Sequence, residues 1–322
     1  MTSPPASLTR RLLNLIGSRV KFRHLHTFLE VARQKSVVKA ADVLHVSQPA
    51  VTKTIRELED ALGVPVFERE GRGIRITRYG EVFLRHAGAA ITALRQGLDS
   101  VSQERAEAAP PVRVGALPTV STRIMPRAMT LFLEEKTSSR IKIITGENAV
   151  LLEQLRVGDL DLVVGRLAAP DKMAGFSFEH LYSEQVVFAV RPHHPLLDKE
   201  ASIFEGLSDY PILMPTRGSV IRPVVEQLMI ANGVGRLPTQ VETVSHSFGR
   251  AFTRSSDAVW IISQGVISTD LADGLLVALP VDTTETKGPV GLTIRADTPP
   301  SAPQEILMQT IRQAAEEVIS AA

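Results

Sequence analysis

The sequence predicts a mixed α/β protein in two parts. A small all-α head carries a two-stranded wing, and a long helix leads from it to a larger region of two α/β lobes. Three observations predict this. Apolar residues recur at helical spacing from Phe22 to Leu62 and again from Tyr79 to Glu104. From Val112 onward, short β-branched runs alternate with helical segments, the rhythm of open α/β sheets. Charge divides at the same place: residues 1–78 carry 14 Lys and Arg against 7 Asp and Glu, and the rest carry 22 against 28.

The elements follow in order. Residues 1–20 read as a disordered extension, because the short apolar run after Arg10-Arg11 is broken by Asn14 and no small-residue cleavage site follows. Phe22 to Ala32 forms a first helix, with Leu25, Phe28, Leu29 and Ala32 at core spacing. A helical pair follows over 37–62. Ala40, Ala41 and Leu44 share one side of its first member, and Val46-Ser47 makes the turn. Ser47 suits an N-cap, Pro49 an early helical position and Gly63 a C-cap. Val51, Ile55, Leu58 and Leu62 form the core stripe of the second member, while Gln48, Pro49, Thr52, Lys53 and Arg56 lie off it. Such a stripe fits any helical hairpin. It also fits a helix that enters the major groove of DNA with its polar face against base edges. The basic charge of the segment favours the second reading, because neutralised phosphates supply most sequence-independent affinity.

Residues 64–80, VPVFEREGRGIRITRYG, read as two short strands around a Gly- and Arg-rich tip, with Arg69, Arg72, Arg75 and Arg78 every third residue. Residues 21–78 thus make the head. Residues 79–104 make one long helix with two apolar stripes, Phe83–Ala87–Ala90–Leu94–Val101 and Leu84–Ile91–Leu98. The stripes fit a dimerisation helix or a core helix. The dimer is preferred, because one head covers only a half-site. Residues 105–111 form a polar, Pro-ended hinge.

Strands are expected at 112–117, 141–145, 159–165, 184–190, 211–215, 240–243, 259–263 and 290–295, with helices over 125–136, 151–157 and 304–320. About 210 residues exceed one small sheet, so two lobes are expected: lobe I over 112–188 and 293–322, and lobe II over 189–292. Crossovers would fall near Ala189–Pro192 and Pro289–Thr293.

Composition narrows the function classes. The absence of cysteine rules out disulfides and thiolate metal sites and suits a reducing cytoplasm. No apolar run reaches the ~20 residues that span a bilayer. There is no H-E-x-x-H, P-loop or G-x-S-x-G pattern, and His193-His194 sits among prolines, as in a loop rather than a metal site. No catalytic residue, metal ligand or cofactor is expected. A stand-alone solute-binding protein would share the lobes but would need a secretion signal and no basic head.

The string FLEVARQKSVVKAADVLHVSQPAVTKTIRELEDALGVPVFERE, followed by ITRYGE, resembles the head of the LysR-type transcriptional regulators. The resemblance runs from Phe22 to about Ala315, more weakly through LPTVSTRIMP, LRVGDLDLVVG and RPHHPL. It implies a winged helix-turn-helix, a linker helix and a periplasmic-binding-protein-like effector domain of two lobes. It also implies a homotetramer built as a dimer of dimers, binding promoter DNA with paired half-sites and contacting RNA polymerase, that activates an operon when a metabolite binds. Within the family, VKFRHLHTFLEVARQKSV and the segment from Phe67 to Gly97 most resemble regulators of protocatechuate catabolism, with the galactose-regulator branch next.

Two sets of site residues follow. For DNA these are Lys39, Ser47, Gln48, Pro49, Thr52, Lys53 and Arg56, with Arg72 and Arg75 from the wing. Gln48 can pair with adenine or bridge to a base, Thr52 can reach a thymine methyl or a base edge, Lys53 and Arg56 are placed for phosphate or guanine, and Arg72 and Arg75 would extend the contacts from the wing; each of them also fits plain solvation. Arg56 has a second option, pairing with Glu59 or Asp60. For a small ligand, segments after strands are favoured, where helix N-termini attract anions. They offer Thr119, Ser121 and Thr122, then Arg166, then Arg217, Ser219 and Arg222, and finally His246 and Ser247. The arginines suit a carboxylate-bearing inducer through bidentate pairing, although each also fits surface solvation or an ion pair within the protein.

Overall fold

A computed structural model describes residues 20–71, 73–104, 111–137, 139–198, 203–235 and 237–320. Arg72, the extension before Val20 and the hinge before Pro111 lie outside the described residues. The chain divides into two compact units near Val101.

The first unit opens with helices α1 (Phe22–Gln34), α2 (Val37–Leu44) and α3 (Gln48–Leu62). Their apolar faces meet in one core of Phe28, Val31, Ala40, Val51, Ile55 and Leu58. The stripe read from the sequence is therefore the buried face. Ser36 caps α2 by accepting from the Lys39 N–H at 3.3 Å. Ser47 holds the N-cap position of α3, but its carbonyl, not its hydroxyl, receives the Ala50 and Val51 N–H groups. Between α2 and α3 the chain turns through His45, which adopts a left-handed conformation. Gly63, also left-handed, ends α3 as expected.

Strands β1 (Phe67–Glu70) and β2 (Gly73–Ile76) pair antiparallel to form the wing. Two ties fix it. Glu59 of α3 accepts from the Val66 and Phe67 N–H groups at 2.8 and 3.3 Å. Phe67 packs on Phe28, their ring centroids 5.2 Å apart. Helix α4 (Arg78–Glu104) leaves the wing through Thr77, whose hydroxyl donates to the Pro65 carbonyl and accepts from Gly80. A side chain at Gly80 would collide with the Val66 carbonyl, so the T-x-x-G spacing is a steric requirement. Leu84 and Ala87 of α4 pack into the head core, while Leu94, Leu98 and Val101 stay exposed.

The second unit holds two five-stranded sheets. One has the order β4-β3-β5-β12-β6, from Ile141–Thr145, Val112–Ala116, Leu162–Arg166, Gly288–Arg295 and Phe176–Glu184. The other has the order β11-β7-β10-β8-β9, from Val277–Ala278, Val186–Val190, Val259–Ser263, Ile212–Met214 and Gln240–Glu242. Within each sheet three strands run parallel, β3, β4 and β5 in the first and β8, β9 and β10 in the second. The helices that cover them are α5 (Pro118–Arg123), α6 (Met125–Glu134), α7 (Asn148–Arg156), α8 (Arg222–Ala231), α9 (His246–Ser255) and α10 (Ala302–Ser320). Each sheet has its own apolar core, around Val114, Phe132, Leu162 and Ile311 in lobe I and around Phe188, Ile212, Val225 and Ile261 in lobe II.

Three features differ from the sequence reading. Residues 118–122 form helix α5, not an open loop, because Pro118 starts a helical turn immediately after β3. Strand β6 was not expected: it shows solvent half of its length, so polar residues hide its apolar run. Both lobe boundaries also move: the chain leaves lobe I at Gln185 rather than after 188, and re-enters it at Gly288 rather than 293, since the whole of β7 belongs to lobe II and the whole of β12 to lobe I.

Candidate functional site

On the head, one exposed shallow face gathers Gln48, Pro49, Thr52, Lys53 and Arg56 with Glu57 and Asp60. Gln48 donates to the Thr52 hydroxyl at 3.3 Å along the first turn of α3. The Ser47 hydroxyl, released from capping, is exposed beside them, and Lys39 is exposed on α2. Two acids of α3, Glu57 on this face and Glu59 two residues on, are held differently. Glu57 is paired with Arg23 at 2.8 Å and His24 at 3.2 Å, and Arg23 above all keeps its carboxyl below the usual carboxylate range. Glu59 is spent on the wing, so Arg56 makes no ion pair among the described residues. Arg75 lies on the wing with its guanidinium 2.6 Å from Glu68 and 3.7 Å from Glu70. Arg75 is therefore already paired, whereas among the described residues Lys53 and Arg56 make no ion pair.

In the second unit a cavity of about 240 Å³ opens between the lobes. Every parallel strand delivers residues to it from its C-terminal end. β3 supplies Pro118 and Thr119, β4 supplies Thr145 to Asn148, and β5 supplies Arg166. From lobe II, β8 supplies Thr216 and Ser219, β9 supplies Thr243, and β10 supplies Ser263, with His246 at the start of α9. Carboxyl ends of parallel strands are where open α/β sheets place ligands, because chain and helix N-termini diverge there.

Of the nine residues expected at such a site, the structure brings four to the cavity: Thr119, Arg166, Ser219 and His246. The others are engaged elsewhere. The Ser121 hydroxyl donates back to the Ala116 and Leu117 carbonyls, and the Thr122 hydroxyl to the Gly265 carbonyl at 2.9 Å. Arg222 donates to Glu226, to Glu242 and to the Pro215 carbonyl, which holds the loop before α8 in place. Arg217 and Ser247 are exposed. Sequence reasoning missed Glu147 and Asn148, which the strand-end rule applied to β4 would have found, and Thr216, which lies in the segment after β8 but was passed over for its arginines.

The electrostatics of the cavity are mixed. The Arg166 side chain is buried, and its guanidinium donates to the main-chain carbonyls of Glu184 and Thr286, at 3.3 Å for Glu184. Burial pulls its pKa down, and the nearby Glu184 carboxylate opposes this. Burial also lowers the His246 pKa, helped by Arg250, so the ring favours the neutral form. Asn148 donates to the Arg166 carbonyl at 3.0 Å, and Glu147 accepts from the Thr216 hydroxyl at 2.7 Å. Behind the cavity wall, Glu184 is almost fully buried. It receives Thr119, the Gly265 N–H and Arg123, which ties α5 of lobe I to lobe II.

Residues 22–81 match the lysR-family bacterial regulatory helix-turn-helix, and residues 105–316 match the LysR substrate binding domain. The chain belongs to the LysR family of transcriptional regulators. It is 72% identical over 304 residues to the HTH-type transcriptional regulator PcaQ of Agrobacterium fabrum, covering 94% of this chain and 98% of that one. It is 34% identical to the uncharacterized HTH-type regulator YdcI of Escherichia coli, over 93% and 97% of the two chains. Among solved structures, full-length LysG of Corynebacterium glutamicum with bound effector Arg shares the fold. The TM-score is 0.61 at 17% identity, with 92% of this chain and 99% of that one covered. As a LysR-type regulator, the chain has a DNA-facing head and an effector-type second unit, the architecture the sequence implied. Among the described residues no helix is long and apolar enough to cross a membrane.

Proposed function

We infer that this regulator activates an operon for aromatic-acid catabolism, that of protocatechuate, in response to a carboxylated ring-cleavage metabolite held between the lobes. The observation that carries the reading is the 72% identity to PcaQ, which extends over 94% of the chain and so includes the effector half as well as the head. The galactose-uptake alternative is not favoured for the same reason, because its support came from the head. Support for the ligand class comes from the cavity, where Arg166 and the first residues of α7 and α9, Asn148 and His246, line one space. Thr119, Arg166, Ser219 and His246 are the contacts retained from the sequence. Glu147, Asn148 and Thr216 join them.

The regulator works without catalysis, in the cytoplasm, as a dimer of dimers. It reads paired promoter half-sites through Gln48, Thr52, Lys53 and Arg56, and it contacts RNA polymerase when induced. The exposed Leu94, Leu98 and Val101 of α4 support pairing of two heads. Two measurements test the reading. A nuclease footprint should cover two half-sites upstream of the neighbouring catabolic genes. Polycarboxylated ring-cleavage products should raise the melting temperature in a thermal-shift titration, whereas galactose should not. Stabilisation by galactose alone would overturn it.

A further inference from the structure

Glu147 is out of keeping with a cavity for anions. It immediately precedes α7, and its carbonyl accepts the first N–H groups of that helix, from Val150 and Leu151. Its side chain does not cap the helix. It reaches across to lobe II, where Oε1 accepts from the Thr216 hydroxyl at 2.7 Å. The loop after β8 is shaped around the carboxylate: a Cβ on Gly218 would lie 2.6 Å from Oε2. The positive end of α7 favours a negative charge at this spot, and the same field would favour the carboxylate of a ligand.

We propose that Glu147 is a tethered stand-in for the effector: its carboxylate occupies the Thr216 seat of the cavity, and an anionic effector enters by displacing it. Binding and release of the Glu147–Thr216 tie between the lobes are then one event. This rests on the reading of the cavity as a carboxylate site. It adds a specificity consequence, since the displaced carboxylate remains next to the incoming one. Two unit charges about 5 Å apart repel measurably even at an effective dielectric constant of about 20. Glu147 therefore weakens every anionic ligand, and more so as ligand charge rises.

Glu147→Gln separates charge from hydrogen bonding, because the amide oxygen still accepts from Thr216 and the volume is unchanged. Calorimetric titration of the full chain would use benzamide, benzoate, cis,cis-muconate and tricarballylate, a series from neutral to trianionic. The ratio of Kd between Glu147→Gln and the parent should be near one for benzamide. It should show at least about tenfold tighter binding for benzoate, a change of roughly 1.4 kcal/mol, and more for the two polyacids. A gain independent of ligand charge overturns the stand-in role and leaves the carboxylate reading intact. Failure of every acid to bind either protein overturns both.

Discussion

At the residue scale, the head shows why helical spacing alone is ambiguous and what resolves it. Val51, Ile55 and Leu58 are buried, as any helical hairpin would require. The distinguishing fact is on the other face, where among the described residues Lys53 and Arg56 make no ion pair although Glu57 and Glu59 are close in sequence. Those acids are taken up by Arg23, His24 and the wing backbone. Thr52→Ala should therefore weaken operator binding more than binding to random DNA, whereas Lys53→Ala should lower the salt slope on both; equal loss on the two DNAs for Thr52→Ala would remove it as a base contact. A second residue carries a pH dependence. His194 is buried against Tyr210, its Nδ1 accepts from the Leu196 N–H, and Nε2 lies 3.1 Å from the Asp257 carbonyl. Burial lowers its pKa, so the unfolded chain binds its proton first as pH falls. Stability is complete above about pH 6.5, the ordinary histidine value, and is lost as pH drops through the folded pKa. Melting temperatures should fall between pH 7.5 and 5, and His194→Asn, which keeps an acceptor for Leu196, should flatten that fall. His246 contributes with the same sign and remains in the variant.

At the scale of elements, the long regular helices were legible because their burial follows one period, and most of the parallel strands because they are short, nearly continuous apolar runs that are buried almost throughout. β6 was not, since only its C-terminal end is well buried and the rest faces solvent on alternate residues. The cavity was half legible for a related reason. The strand-end rule found Thr119, Arg166, Ser219 and His246, but arginine chemistry pulled attention to Arg222, which is satisfied by Glu226 and Glu242. Nothing in a sequence reports whether a guanidinium already has partners. The stripes of α4 split in the same way: Leu84 and Ala87 serve the head core, and only the distal part is free for another chain. Leu98→Glu should thus leave the head folded, dissociate the paired species in sedimentation velocity, and cost operator affinity through loss of the second half-site. Unchanged sedimentation would place the pairing surface elsewhere.

At the scale of the whole molecule, the two lobes are unequal in how the chain builds them. All five strands of the lobe II sheet lie between β6 and β12, so lobe II interrupts lobe I. The lobe I core is closed by the last helix, whose Leu307, Met308, Ile311, Ala314 and Ala315 are buried in it, and which is clamped by Arg127–Glu317 and Arg312–Glu179 pairs. Removal of residues 302–322 should expose that core, seen as strong dye binding and loss of one unfolding transition, while lobe II keeps its own. The same arrangement sets an order of assembly on the ribosome. Chains emerge from the N-terminus, and domains fold as units when complete. Lobe II is complete while lobe I still lacks β12 and α10, so the first lobe to be started is the last to be finished. Until β12 and α10 have emerged, β3, β4 and β5 remain an open half-sheet, and a chain stalled before them presents that surface to chaperones or to aggregation.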